Sequence, residues 1–188
     1  MPGKLIVVSG PSGSGKTTIA RWLLEQIPSL RFSVSATTRP MRAGEQNGRD
    51  YYFLSREAFV ERVAEGAFVE WEEVFGNYYG TLAQEVERAR DEGAHLLFDV
   101  DVKGALSIKR RYPEALLIFI QPPSQETLRE RLQARHTESE QELKLRLERA
   151  AMEMERAKEF DRRVTNDVLE RAAREVYQTV LYYLSQSI

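Results

Sequence analysis

The sequence predicts an α/β fold in which a parallel sheet is flanked by helices. Short apolar runs alternate along the chain with stretches whose apolar residues recur at helical spacing. The apolar runs are continuous, as expected for strands that are buried on both faces of a parallel sheet. The 188 residues, of which 42% are hydrophobic and 30% charged, suit one domain with its own core.

Five strands follow from the apolar runs, at residues 5–8, 32–35, 96–100, 115–120 and, more weakly, 164–165. The first run is rich in β-branched residues and is bounded by glycine. Helical spacing begins near Lys16 and stops at Pro28, which cannot continue a helix. Further helices are expected at 82–92, 102–111, 124–135, 140–159 and 167–186.

Two segments break this alternation. Residues 35–81 are rich in arginine, glycine, glutamate and aromatic residues, and they predict short strands around one helix near 55–65. We expect this segment to be an insertion on the sheet. Residues 136–141 are polar and lie between two helical patterns, so they suit a mobile lid. The core would then comprise residues 1–34, 82–135 and 140–188 of a single domain.

Composition and charge narrow the classes of protein. The net charge of −2 argues against a general nucleic-acid binder, although it says little about one anion-binding cleft. No apolar run reaches the length of a membrane span, and the first residues lack the features of a secretory signal. The absence of cysteine excludes disulfides and thiolate metal sites and fits a reducing compartment. We therefore expect a cytoplasmic protein that binds neither membrane nor nucleic acid; its oligomeric state is left open.

Residues 10–17 read GPSGSGKT and match the phosphate-binding pattern G-x-x-x-x-G-K-[ST]. The motif stands between a predicted strand and a predicted helix, which is the context that it requires. Its backbone N–H groups would bind phosphate oxygens at the positive end of the helix. Lys16 would reach the β- and γ-phosphates, and the Thr17 hydroxyl would ligate Mg²⁺. The alternative is a glycine-rich turn that matches the pattern by chance.

An acidic residue at the end of an apolar strand often completes such a site. Asp99 follows the run at 96–98 and would support Mg²⁺ or its water ligands. Asp99 could instead cap the next helix, and Asp101 is an equally good candidate for that cap. With the phosphate-binding motif present, we favour Asp99 as the metal-supporting residue.

A second anion site is indicated by Arg39 and Arg42, which stand three residues apart around a proline. Two guanidinium groups on a stiffened loop suit a phosphate monoester, because each can form a bidentate pair. Tyr51 and Tyr79 could add neutral hydroxyl donors. A solvated basic loop would explain the two arginines equally well.

At this point the chain resembles the guanylate kinases. The similarity lies in SATTRPMRAGE at 35–45, GRDY at 48–51 and GNYYGT at 76–81, which resemble the GMP-binding segment of that family. It continues in FDVD at 98–101, PPS at 122–124, RLQAR at 131–135 and VTND at 164–167, in the family's order and spacing. The resemblance covers essentially the whole chain and implies a P-loop nucleotide kinase with an inserted GMP-binding segment and a lid.

The resemblance implies a role for each matching residue. The GMP phosphate would be held by Arg39, Arg42, Tyr51 and Tyr79. The base would be held by Glu70, with Ser35, Gly80, Thr81 and Asp101 beside it. Catalytic charge would come from Lys16, Arg39, Arg131, Arg135 and Arg146. ATP would be bound by Gly10, Pro11, Ser12, Gly13, Ser14, Gly15, Lys16, Thr17, Thr18 and Asn166, with Asn166 near the adenine.

The chemistry of guanine agrees with the role implied for Glu70. Guanine presents N1–H and its 2-amino group side by side, and one carboxylate accepts from both. Adenine has an acceptor at N1 and no 2-amino group, so it would leave Glu70 unpaired. Taken alone, Glu70 would be a surface acid on an edge strand, and Arg131 and Arg135 would be ion-pair partners on a charged helix.

The implied activity is transfer of the γ-phosphoryl group of ATP to GMP, and by extension to dGMP, in purine nucleotide metabolism and GMP recycling. Mg²⁺ would be the cofactor, with Thr17 and Asp99 as the metal-binding residues. One rival is a kinase for another nucleoside monophosphate, against which Glu70 with Thr81 argues. The other is a scaffolding domain of similar fold that binds phosphopeptides, against which Lys16 argues.

Overall fold

The computed structural model describes residues 2–74, 76–134 and 140–186. Nine strands lie in this part of the chain: β1 (Leu5–Ser9), β2 (Leu30–Phe32), β3 (Ala36–Thr37), β4 (Tyr52–Phe53), β5 (Phe68–Val74), β6 (Asn77–Leu82), β7 (His95–Asp99), β8 (Leu116–Gln121) and β9 (Arg162–Thr165). Its α-helices are α1 (Lys16–Gln26), α2 (Arg56–Ala64), α3 (Ala83–Asp91), α4 (Val102–Arg111), α5 (Gln125–Gln133), α6 (Glu140–Glu155) and α7 (Leu169–Ser185). No helix in these ranges is long and apolar enough to span a membrane.

Five strands form a parallel sheet in the order β2-β7-β1-β8-β9. Strand β1 is central, and all five of its residues are buried. Its side chains alternate between two apolar clusters: Leu5 and Val7 belong to one, and Ile6 and Val8 to the other. The sheet is therefore covered on both faces, which explains why its strands are continuous apolar runs. The predicted parallel α/β fold is confirmed.

The segment between β2 and α3 builds a second sheet in the order β4-β3-β6-β5. Strands β5 and β6 form an antiparallel hairpin whose register shifts between Phe68 and Glu70. A shift of this kind is a bulge, which re-aims the side chains that follow it. Beneath this sheet, the Phe59 ring of α2 stacks on Phe68 with ring centroids 4.3 Å apart. This segment thus has a small apolar core of its own.

Several predicted boundaries were wrong. The second strand was predicted at 32–35, whereas β2 spans Leu30–Phe32 and only Phe32 is shared. Strand β2 is the sheet's edge strand and pairs with β7 alone among the described elements. Because one edge of β2 faces solvent, the strand contains the exposed Arg31, and this charged residue interrupts the apolar run by which a strand is recognised. The helix predicted at 140–159 ends at Glu155 and continues as one short 3₁₀ turn, Arg156–Glu159.

Candidate functional site

The loop between β1 and α1 takes the conformation that its glycines permit. Gly13 and Gly15 have φ angles of 84° and 91°, a region that residues with a Cβ rarely occupy. A Cβ on Gly15 would lie 2.3 Å from the amide nitrogen of Asn166, so a larger residue does not fit there. Helix α1 begins directly afterwards at Lys16. The loop therefore ends at a helix N-terminus, where backbone N–H groups favour an anion.

At the start of α1, the Thr17 hydroxyl donates a hydrogen bond of 2.6 Å to Asp99 Oδ2. Asp99 is the last residue of β7, the strand next to β1. Two oxygen ligands beside a phosphate-binding loop suit Mg²⁺, which keeps several waters and needs few protein ligands. In the described part of the chain, no group of three or more His, Cys, Asp or Glu residues is arranged to hold a metal ion. Thr17 and Asp99 thus fit a metal whose remaining ligands are phosphate and water.

Other elements support the loop from outside. Asn166, which is 4% exposed, donates from Nδ2 to the Ser14 carbonyl at 2.8 Å. The backbone carbonyl of Asn166 in turn accepts a hydrogen bond of 2.8 Å from Arg131 of α5. From α6, Arg146 Nη1 donates to the Ser12 hydroxyl at 3.2 Å. Of the three predicted helix arginines, Arg146 thus contacts the loop and Arg131 contacts Asn166, which supports it. Arg135 and residues 136–139 of the predicted lid lie outside the described residues.

A cavity of about 640 Å³ extends from the start of α1 to the second sheet. Seven of the residues predicted from the sequence line it: Thr17, Ser35, Arg39, Arg42, Tyr51, Tyr79 and Asp99. The Tyr51 and Tyr79 rings lie 6.1 Å apart in an edge arrangement. The Arg39 guanidinium lies 5.3 Å from the centre of the Tyr51 ring. The structure therefore brings the two predicted phosphate sites to one cleft.

Sequence reasoning assigned no role to Glu45, which organises the arginine loop. One of its carboxylate oxygens accepts from Arg39 Nη2 at 2.7 Å, and the other accepts from the backbone N–H of Arg42 at 2.8 Å. The hydrogen bond from Arg39 is the chief reason that the pKa of Glu45 is lowered. The sequence signal for this role was the spacing: Glu45 follows Arg42 by three residues, so its carboxylate can accept a hydrogen bond from the backbone of the same turn.

Glu70 lies deeper, between the β5–β6 hairpin and the first turn of α4. Thr81, opposite it on β6 and fully buried, donates from its hydroxyl to Glu70 Oε1 at 2.7 Å. A Cβ on Gly104 would lie 3.0 Å from Glu70 Oε2, so the carboxylate rests against bare helix backbone. Burial raises the pKa of Glu70 to about 7. The Thr81 hydroxyl binds one oxygen of this carboxylate, and a carboxylate has lone pairs to accept further donors.

Asp101 caps α4: its Oδ1 accepts from the Gly104 N–H at 2.8 Å. Its Oδ2 accepts from Arg149 of α6 at 3.0 Å. Gly80, the remaining residue predicted at the base, is buried between β3 and β5, where a Cβ would lie 2.8 Å from the Glu70 carbonyl oxygen. Glycine there lets the strands of the hairpin approach closely.

Comparison with known proteins agrees with this architecture. The family model described as guanylate kinase matches residues 2–182. The chain is 54% identical over 185 residues to the guanylate kinase of Chlorobaculum tepidum, covering 98% of this chain and 95% of the relative. It is 52% identical over 184 residues to that of Chlorobium luteolum, covering 97% and 93%.

A solved structure gives the same result. The crystal structure of guanylate kinase from Anaplasma phagocytophilum superposes with a TM-score of 0.77 at 34% identity, covering 99% of this chain and 88% of that one. Sequence and fold agree over nearly the whole length of both proteins. The family predicted from the sequence motifs is confirmed: the chain belongs to the guanylate kinase family.

Proposed function

We propose that this chain transfers the γ-phosphoryl group of ATP to GMP, giving ADP and GDP. Membership in the guanylate kinase family supports this activity, and the cleft described above is lined by residues that we assign to the ATP side and by residues that we assign to the GMP phosphate. The division into a core, an insertion at about 35–81 and a lid at about 136–141 belongs to this proposal. So do the use of dGMP and a cytoplasmic location.

On the ATP side, we assign the triphosphate to the loop at residues 10–18. Lys16 is half-buried at the start of α1, directly after the glycine-rich loop, where its ammonium group could reach the β- and γ-phosphates. Mg²⁺, held by Thr17 with Asp99 behind it, would neutralise charge on the β- and γ-phosphates. Arg131 and Arg146 already touch the loop or its support, and small side-chain movements would aim them at the transferring group.

Arg135 is assigned to the transferring group from its motif alone. Asn166 has a different place: its hydrogen bond to Ser14 supports the loop, and its role toward the adenine stays a prediction.

On the acceptor side, Arg39, Arg42, Tyr51 and Tyr79 are assigned to the GMP phosphate. The Arg39 guanidinium pairs with Glu45, whose side chain is 21% exposed. A guanidinium has five N–H donors, so the GMP phosphate could accept from N–H groups of Arg39 that do not bind Glu45. The hydrogen bond to Glu45 would then keep the Arg39 guanidinium in place while it binds the phosphate.

The guanine base is assigned to Glu70. Its Oε1 already accepts from Thr81, so guanine N1–H and the 2-amino group would complete the shell of the carboxylate. Ser35, Gly80, Thr81 and Asp101 form the walls. Adenine would place a lone pair against this carboxylate, and sites built on such bonds discriminate by about 10⁴-fold or more.

The reaction follows from alignment and charge. A GMP phosphate oxygen attacks the γ-phosphorus in line, and the bond to the β–γ bridging oxygen breaks, leaving ADP. The attacking oxygen is already anionic, so no strong general base is needed. Lys16 and the arginines stabilise the charge that spreads over the transferring group. The observation that carries the proposal is a buried Glu70 carboxylate held by the Thr81 hydroxyl, in a chain whose glycine-rich loop ends at a helix N-terminus.

A coupled assay of ADP release with GMP, AMP, CMP and UMP tests this function. We expect turnover with GMP at least 10³-fold above turnover with AMP. Lys16→Ala should abolish turnover, and Glu70→Ala should raise KM for GMP far more than KM for ATP. Equal turnover of GMP and AMP by the unmodified enzyme would refute the assignment of guanine to Glu70.

A further inference from the structure

Helix α6 contacts both the phosphate-binding loop and the residues beside Glu70, through two arginines three positions apart. Arg146 reaches the Ser12 hydroxyl of the phosphate loop at 3.2 Å. Arg149, on the same face, reaches two carboxylates on the guanine side. A helix that contacts both sites is a physical route by which one site can affect the other.

The Arg149 guanidinium joins three parts of the molecule. Its Nη2 donates to Glu72 of β5, with 3.2 Å to Oε2, and to Asp101 at the start of α4, with 3.0 Å to Oδ2. Its Nε donates to Glu153 of α6 at 3.1 Å. Strand β5, the start of α4 and helix α6 therefore meet at one side chain.

This cluster holds more negative than positive charge. Three carboxylates share the one guanidinium, and their side chains are only 22%, 21% and 14% exposed for Glu72, Asp101 and Glu153. Burial and the nearby Asp101 raise the pKa of Glu72 to about 7, while Arg149 opposes this rise. The positive charge of Lys16 is close enough to lower the pKa of Glu153, which burial raises. The cluster thus lies within the electrostatic reach of the phosphate loop.

Glu70 connects this cluster to the base. Glu70 Oε2 and Asp101 Oδ1 both lie about 3 Å from one point, the position that a Gly104 Cβ would take. A base that donates two hydrogen bonds to Glu70 favours its ionised form, which places another negative charge beside Asp101. The attraction between these carboxylates and the Arg149 guanidinium then increases. Because Arg146 is on the same helix, a shift of Arg149 would also move Arg146.

We propose that Arg149 is a positioning residue that couples the two nucleotide sites: guanine bound at Glu70 strengthens the hold of Glu72 and Asp101 on Arg149, and α6 then places Arg146 on the phosphate loop. This inference rests on the proposed function. It assigns to Arg149 and Glu72 a role in substrate synergy and no contact with the reacting atoms.

The test is calorimetry of the non-hydrolysable ATP analogue AMPPNP with Mg²⁺, with and without saturating GMP. We expect GMP to tighten AMPPNP binding to the unmodified enzyme several-fold. The coupling factor is the ratio of the AMPPNP Kd without GMP to the Kd with saturating GMP. Arg149→Met should reduce this factor at least threefold toward one, while AMPPNP affinity without GMP changes less than twofold. Arg149→Lys, which keeps the charge but loses the planar fork, should retain an intermediate factor.

Arg156→Met is the matched control, since Arg156 pairs with Glu159 inside its own 3₁₀ turn. Its coupling factor should equal that of the unmodified enzyme. Glu72→Gln removes the charge of a carboxylate that pairs with Arg149, and it should also reduce the coupling factor. This variant provides the test if Arg149→Met does not fold. The double variant should lose less coupling than the sum of the two single losses, as expected for residues in contact.

A coupling factor of one in the unmodified enzyme, an unchanged factor in Arg149→Met and Glu72→Gln, or an equal loss in Arg156→Met would each overturn the proposal. Failure of GMP to bind or to be phosphorylated at all would instead overturn the proposed function. Normal GMP phosphorylation with unchanged coupling would remove only the role of Arg149.

Discussion

Glu70 is a carboxylate whose charge depends on pH in the physiological range. Burial raises its pKa to about 7, so below that pH the protonated form prevails in the free enzyme. A protonated Glu70 presents a donor to guanine, whose facing groups are themselves donors. We therefore expect KM for GMP to rise as the pH falls from 8 to 6, by up to about tenfold per unit below the pKa, with KM for ATP less affected. Initial rates across this range measure the effect.

The phosphate of GMP itself titrates near pH 6. The Glu70→Gln variant separates the two contributions, because it keeps the acceptor for Thr81 and loses only the titrating group. Its KM for GMP should be high at every pH and should vary only as the phosphate does. A variant profile as steep as that of the unmodified enzyme would show that Glu70 is not the titrating group.

Gly104 is the residue that leaves space for this carboxylate. A Cβ there would lie 3.0 Å from Glu70 Oε2 and 3.1 Å from Asp101 Oδ1, both of which would have to yield by a few tenths of an ångström. Alanine favours a helix over glycine by about 1 kcal/mol. Gly104→Ala should therefore leave the unfolding temperature unchanged or raise it, while KM for GMP rises several-fold and KM for ATP does not. A variant with normal KM for GMP would show that the carboxylate tolerates displacement.

Among elements, the phosphate loop depends on a residue far along the chain. Asn166 supports the Ser14 carbonyl from the end of β9, inside the protein. Asn166→Ala should lower the free energy of unfolding by about 1–3 kcal/mol, because it leaves a buried carbonyl without its partner. It should also weaken ADP binding, since the loop is no longer held. Urea unfolding and ADP calorimetry measure the two effects.

Gln121→Ala provides a nearby comparison. Its side chain donates to Thr165 at 3.0 Å on an exposed part of the same strand pair. The cost in unfolding free energy should stay below about 0.5 kcal/mol, because solvent replaces the lost bond. If both variants lost the same stability, the Asn166 hydrogen bond would have no special part in supporting the loop.

The elements also show where sequence reasoning stops. The strand at 5–8 and the loop after it were predictable, because a fully buried strand and a glycine-rich turn both follow from local chemistry. The Arg149 cluster was not, because nothing local distinguishes Arg149 from the other charged residues of α6. Glu153 is a neighbour of Arg149 on the same helix, but only the packing of α6 against β5 and α4 brings Glu72 and Asp101 to the guanidinium. The hydrogen bond from Asn166 to the Ser14 carbonyl was not predictable either, because the two residues are far apart in sequence and only the fold brings them together. The predicted place of Asn166 near the adenine rests on the family resemblance.

At the scale of the whole molecule, positive charge converges on a cleft although the net charge is −2. Arg39 and Arg42 line the cleft from the segment between β2 and α3, Lys16 begins α1 at the end of the phosphate-binding loop, and Arg146 reaches that loop from α6. Like charges that approach in a partly desolvated cleft repel one another. Phosphate groups on both nucleotides would remove this repulsion, so the cleft is expected to close fully when both are bound.

Closure of the insertion toward the core is therefore the last prediction, and the chain is well suited to its measurement. Because the sequence lacks cysteine, Glu61→Cys on α2 and Gln178→Cys on α7 would be the only sites for a pair of fluorescent dyes. Energy transfer should increase when GMP and AMPPNP are both present, and less with either alone. Dyes at Arg110→Cys and Gln178→Cys, both within the core, should report no change. Constant transfer in the first pair would reject closure, and water would then have to be excluded by the lid segment alone.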